Sequence, residues 1–341
     1  MKTINKYLPI FIGSIVILGL IVYSFVYSIY LKDHIKPPPT YLYNKEGRVI
    51  DTYGYSPSWS FPFGVDRFGR DVFWMVIEGA KYTILFALAV GFLRVVFGLF
   101  FGVMYGFASQ KIKLIVDPFV HAFRFIPAAI MVIPIFMSIE MGAFGKNHVV
   151  LHAFVISLIA VPMITSTLGE EIRAFLRNDY IISSKLIGAR SFWLVRKHVF
   201  PYLRSRILLM FVQQTIQTLF LLTQLGIFHL YVGGMKVLYL DFDMSREVSK
   251  ANEWSAMIGG RYIEIGIDPW VIIGPSIGFV VTIFAFNLIK IGIERIINLN
   301  EIKMSKISQD KENDFDGLND FDFVNKKKSV ENQEEMSFIL T

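Results

Sequence analysis

The chain has 341 residues, of which 54% are hydrophobic and 18% charged, with 32 Phe, no Cys and a formal net charge of +6. That apolar fraction exceeds what a soluble core needs, and the charges cluster between long uncharged stretches, the layout of an integral membrane protein. Absence of Cys excludes disulfides, thiolate metal sites and Cys nucleophiles, and Lys and Arg gather on no basic face interleaved with aromatics, so nucleic-acid binding is not expected.

Tyr7 to Leu31 is free of charge and flanked by Lys2, Lys6, Lys32 and Asp33. It is long enough to cross roughly 30 Å of hydrocarbon and is read as an uncleaved N-terminal anchor, residues 1–31. A polar segment with Pro37, Pro38 and Pro39 follows, and residues 32–81 are expected as an extracellular loop. The second span is expected from about Tyr82 to Ala108, and the third from about Leu114 to Ile139 with Pro127 and Pro134 as internal kinks, since neighbouring helices re-satisfy freed carbonyls. The remaining spans are expected at Asn147 to Gly169, Ile207 to about Val232 and Pro269 to Ile289. The expected fold is thus an all-α integral membrane protein with six transmembrane helices, five of them in a core over residues 82–300.

Orientation follows from the basic residues near span ends. Residues 170–206 hold eight Lys and Arg against three acids, whereas 233–268 hold six acids against four bases. The first segment is placed in the cytoplasm and the second outside, and both termini fall inside. Residues 301–341 carry ten acids and six bases and read as a disordered cytoplasmic tail.

Within the basic loop, Asp179 to Ala189 reads as a helix ended by Gly188. Phe192 to Val199 reads as a second helix, and Pro201 as the re-entry toward the fifth span. A short helix pair projecting from a membrane can enter a groove on a soluble partner and pass on a rigid-body motion. Gly188 and Pro201 lie thirteen positions apart, and in this the chain resembles the permease subunits of ABC importers, of the oligopeptide, dipeptide and nickel branch and of the second permease type. Ile182, Ser183 and Ser184 stand where that family has Glu-Ala-Ala. Gly64-Val65-Asp66-Arg67-Phe68-Gly69-Arg70-Asp71 is similar to its segment ahead of the second span, with Val65 in place of Thr. Glu253 to Ile258 and Ala285 to Leu288 are similar to its later signatures. The stretch from about His229 to Asn252 looks longer and more acidic than the branch usually has.

The resemblance implies a type I permease fold and a non-catalytic transport subunit in the cell membrane, with no cofactor of its own. It also implies the partners: a second permease, two cytoplasmic ATPase subunits and an extracellular solute-binding protein that delivers a peptide. The ATPase-coupling loop would comprise Ser183, Ser184, Lys185, Gly188, Ala189 and Pro201. No Gly-x-x-x-x-Gly-Lys-Ser/Thr sequence occurs, so ATP hydrolysis is assigned to another polypeptide. Nickel or another small solute is the alternative cargo. A sensor, or a membrane-embedded enzyme using Arg94, Asp117, His121 and Glu140, is the alternative class.

Three sets of residues inside the spans stand out. Gln213, Gln217 and Gln224 share one helical face and, with Arg94, are expected either to line a translocation path or to bond between helices. Gly98, Gly102 and Gly106 recur every fourth residue and are expected to let another helix approach closely. His148 and His152 have the i, i+4 spacing of two metal ligands, but no third ligand accompanies them and no metal site is assigned.

Overall fold

The computed structural model describes residues 4–43, 47–52, 54–141, 149–232, 235–240, 244–261 and 265–299. Helix α1 (Ile4–Val26) continues through a π turn, Tyr27–Leu31. Strands β1 (Tyr41–Tyr43) and β2 (Val49–Thr52) pair antiparallel. Then come α2 (Val72–Phe107), α3 (Gln110–Phe125), α4 (Ala128–Met141), α5 (Val149–Phe175) and α6 (Asp179–Leu186). Helix α7 (Ser191–Leu194), a π turn at Val195–Val199 and α8 (Phe200–Ile227) form one continuous rod. Strands β3 (Met235–Leu240) and β4 (Met244–Ser249) make a second antiparallel hairpin, followed by α9 (Trp254–Gly259) and α10 (Trp270–Leu299). The chain divides into two units, Met1–Ile291 and Gly292–Thr341, and of the second only residues 292–299 are described.

Among the described residues, five helices are long and apolar enough to cross a membrane: Tyr7–Leu31, Val72–Phe107, Val149–Phe175, Ser191–Ile227 and Trp270–Leu299. The chain is therefore a multi-pass membrane protein. The expectation of six uninterrupted spans differs from this at the third. Helix α3 stops at Phe125, Ile126 turns extended (φ −93, ψ 120), and α4 starts after Pro127. Pro127 thus ends a helix instead of kinking it, because proline pushes the residue before it out of the helical region. Pro134 does lie inside α4.

Directions follow from the contacts. Gly98, Gly102 and Gly106 of α2 meet Ile164, Leu168 and Ile172 of α5 in ascending order, so the two helices run parallel. The chain between them must return across the bundle, and α3 and α4 make that return in two pieces. Arg173 at the foot of α5 bonds to Gln110 at the start of α3, and Phe136 of α4 stacks on His152 near the start of α5 at 4.0 Å. Helix α8 is antiparallel to α2, since Gly226 and Gly79 both abut the segment around α9.

Other boundaries shift too. Helix α2 begins ten residues before the expected Tyr82, because Asp71 caps it by accepting from the Phe73 amide at 2.9 Å. Residues 72–81 therefore belong to a helix and not to a loop. The fifth span ends at Ile227 instead of Val232, and α10 runs ten residues beyond Ile289. The two hairpins add short strands to an architecture expected to be wholly helical. Tail residues 301–341 and His148 lie outside the described residues.

Candidate functional site

The loop after α5 is built around one anchored helix. Ile181, on the inner side of α6, is fully buried together with Ile172, Leu194, Val199 and Leu203. Phe175 stacks on Tyr202 at 4.2 Å and closes the same cluster. The helix ends in a Schellman motif: Ala189 N–H donates to Ser184 O and Gly188 N–H to Lys185 O, both at 3.0 Å. Gly188 has φ +98, in the left-handed region, while a Cβ there would meet nothing within 4 Å. Its glycine is needed for backbone angle and not for space.

Around the end of α6 and the start of α7, large apolar side chains face outward. Leu186, Ile187 and Phe192 are 83%, 89% and 77% exposed, and Trp193 is half exposed. With Ser184, Gly188, Ala189 and Arg190, Ile187 and Trp193 line an open hollow. Exposed apolar clusters rimmed by polar and basic residues mark interaction surfaces. Ser183 is exposed, and Ser184 is half-buried and donates to Tyr180 O at 2.8 Å. Lys185 places its Nζ 5.9 Å over the Phe107 ring. Pro201 does not mark a re-entry between separate helices. It sits in the first turn of α8, after the π turn, where a residue without an N–H is tolerated.

A cleft of about 340 Å³ opens among α2, α3, α4, α5 and α8. Arg94, Gln217 and Gln224 line it together with Pro127, Met131 and Met163. Gln213 is half buried and is not among the lining residues. The break at Pro127 thus opens on the same space as the polar stripe of α8. Arg94 is only 2% exposed; its Nε and Nη2 donate to Ile156 O at 3.3 and 3.2 Å, and Nη1 to Gln214 Oε1 at 3.4 Å. The Ile156 carbonyl and Gln214, the residue next to Gln213, together fix the guanidinium.

Beside the cleft, a Cβ on Gly102 or Gly106 would stand 2.9 or 2.8 Å from α5 side chains, and one on Gly98 closer still. Such spacing lets the backbones of α2 and α5 approach closely. Asp117 accepts from the Tyr105 hydroxyl, some 16 Å along α2 from Arg94 at the helical rise. A shared catalytic centre for Arg94 and Asp117 has no geometric basis, and the side chains of His121 and Glu140 lie outside the described ones.

The far end is tied by two buried carboxylates. Asp66 Oδ1 accepts from the Phe68 and Arg70 amides, and its Oδ2 takes Arg70 Nε and Arg261 Nη2, both at 2.8 Å. Arg67 pairs with Asp268 at 2.6 Å, and Trp270 Nε1 donates to Val65 O. The glycine-rich segment therefore pins the start of α2 to the start of α10. Glu253 caps α9 by accepting from the Ser255 and Ala256 amides, and Thr83 bonds both its carboxylate and the Trp254 amide. Burial pushes the Glu253 and Asp71 carboxyls above the usual carboxylate range. The sequence offered no signal for the Asp66–Arg261 pairing, whereas aromatics at 192 and 193 in a basic loop could have revealed the exposed patch.

These features define a multi-pass helical membrane protein with a polar-lined cleft and an anchored helix outside its long spans. No protein-family model matches the chain. Among curated proteins, it is 24% identical over 251 residues to the peptide transport system permease protein SapC of Haemophilus influenzae, covering 72% of this chain and 78% of that one. It is 26% identical over 247 residues to the glutathione transport system permease protein GsiD of Pectobacterium atrosepticum, covering 71% and 74%. It is 22% identical over 241 residues to the dipeptide transport system permease protein DppC of Alkalihalophilus pseudofirmus, covering 70% and 71%. The chain is homologous to permeases of this kind, and it shares with them most of their length.

Proposed function

We propose that this chain is the second-type permease subunit of an ATP-driven ABC importer for peptides, spanning the cell membrane six times with both termini and the α6 loop in the cytoplasm. The split pair α3 and α4 supplies the sixth crossing. The observation that carries the reading is α6 and the turn after it: a capped helix anchored by Ile181 and followed by the exposed apolar side chains of Leu186, Ile187 and Phe192. That surface suits a soluble partner, and the similarity to SapC-, GsiD- and DppC-type permeases supports reading that partner as an ATPase. Ser183, Ser184, Lys185, Gly188 and Ala189 form the docking turn, and Pro201 begins the span that carries the motion inward.

In this reading a second permease completes the path, two ATPase subunits drive it, and a solute-binding protein delivers the peptide outside. The cleft lined by Arg94, Gln217 and Gln224 is this chain's share of the path. Closely mated α2 and α5, joined through Gly98, Gly102 and Gly106, form a wall that moves as one unit.

Co-purification tests it. A stable complex with an ATPase, lost when Gly188 is replaced by a bulky residue, supports the importer; an isolated chain turning over a substrate without ATP refutes it. Uptake of a panel of peptides and nickel by a deletion strain decides between cargoes.

A further inference from the structure

We infer that Arg94 is a carboxylate-binding site inside the cleft, and that the solutes crossing it carry a free carboxylate, as the C-terminus of a short peptide does. The inference rests on the permease reading for the word crossing, but not for the binding site. Arg94 is buried, yet it is one of the residues that line the cleft. Its three hydrogen bonds go to neutral acceptors, one backbone carbonyl and one amide, at 3.2–3.4 Å. Among the described residues no carboxylate lies within salt-bridge distance of it. An Arg presents five N–H donors, so the three bonds leave two for another group.

A buried charge without a counter-ion costs several kcal/mol, and intramembrane cations normally find an anion. Here the protein holds the guanidinium by neutral acceptors, and Arg94 borders a space of about 340 Å³, within the size range of small-molecule sites. A planar fork with two unused N–H groups matches a carboxylate. Gln217 and Gln224 on the adjoining wall suit the amide groups of a peptide backbone, and Met131, Met163 and Phe220 supply an apolar surface that tolerates varied side chains. Loose bonds to Arg94 also suit passage, since a fully satisfied cation would have nothing to offer and a rigidly held one would retain its ligand.

The test uses the full chain with the partners that co-purify with it, in nanodiscs, and 13C-methyl labels on methionine. Trialanine is the probe and trialanine amide the control, with acetate and acetamide as competitors. The expected result is that trialanine shifts the Met131 and Met163 methyl signals and binds about tenfold tighter than the amide, and that acetate alone displaces it. R94Q abolishes the preference and R94K keeps part of it. Equal responses to acid and amide in the wild type, or an undiminished preference in R94Q, overturn the inference; the wild-type comparison decides even if R94Q does not fold. Vesicles that import no peptide while these methyls still respond to trialanine would remove the peptide-import reading and leave the site.

Discussion

Asp66 and Arg261 lie 195 residues apart and meet at 2.8 Å in a place where the carboxylate has no solvent exposure. The bond joins the segment before α2 to the segment before α10. Removing one partner of such a buried pair strands the other, at about 3–5 kcal/mol. Asp66→Asn should therefore lower the melting temperature of the detergent-purified protein far more than Arg67→Gln, whose partner Asp268 sits in a pair with one side half open to solvent.

Gly188 makes a graded prediction possible. No atom stands where its Cβ would be, so the substitution effect depends on the left-handed backbone alone, a cost of about 1–2 kcal/mol for most residues and less for Asn. The amount of ATPase retained on purification should fall in the order Gly188, Asn, Ala, Val. Amide exchange at Ala189 should rise in the same order, and equal retention in all four would remove the cap from the coupling scheme.

Along the α2–α5 seam the order is set by distance. Gly98→Ala should destabilise more than Gly102→Ala or Gly106→Ala, because its new Cβ is the most crowded. Overpacking of this kind costs about 1–3 kcal/mol. Denaturation in mixed micelles would rank the three.

For Glu253 the sign of the pH dependence is fixed by its raised pKa. Below the ordinary Glu range both folded and unfolded chains hold the proton, and burial carries no charge penalty. As pH rises, the unfolded chain releases its proton first, so stability is lost until the folded pKa is passed. Melting temperatures of the wild type should therefore decline as pH rises from about 4, with Asp71 acting in the same direction. Glu253→Gln should flatten its part of that slope. Where the wild-type carboxylate is ionised, the variant should lose about 1–3 kcal/mol of hydrogen bonding, because an amide cannot offer two acceptor oxygens to the Ser255 and Ala256 amides.

Much of this architecture could be read from residue order. Runs such as Tyr7 to Leu31 announce themselves by length and lack of charge, and Gly188 after a short polar segment signals a helix stop. The interruption at Pro127 was visible as a proline, but whether a membrane proline kinks or ends a helix depends on its neighbours, and here Ile126 turns extended. The start of α2 depended on the Asp71 cap, which a hydropathy window cannot see. The cleft was legible in part: Arg94, Gln217 and Gln224 converge there, while Gln213 does not, since a helical face is wider than the groove it borders. Gln214 had to be found by its bond to Arg94, and the clamp at Asp66 spans a distance in sequence that no local pattern reports.

The glycine seam between α2 and α5 has a mechanical meaning. Each bare stretch of one backbone lies under a branched side chain of the other, so the two rods behave like toothed racks and cannot creep past each other by an ångström. They would have to jump one four-residue repeat, about 6 Å at 1.5 Å per residue. A small push at the foot of α5 must therefore swing both rods as a single plate, and any slack has to be taken up in the π turn at Val195–Val199, where the helix feeding α8 is already wound off its regular pitch.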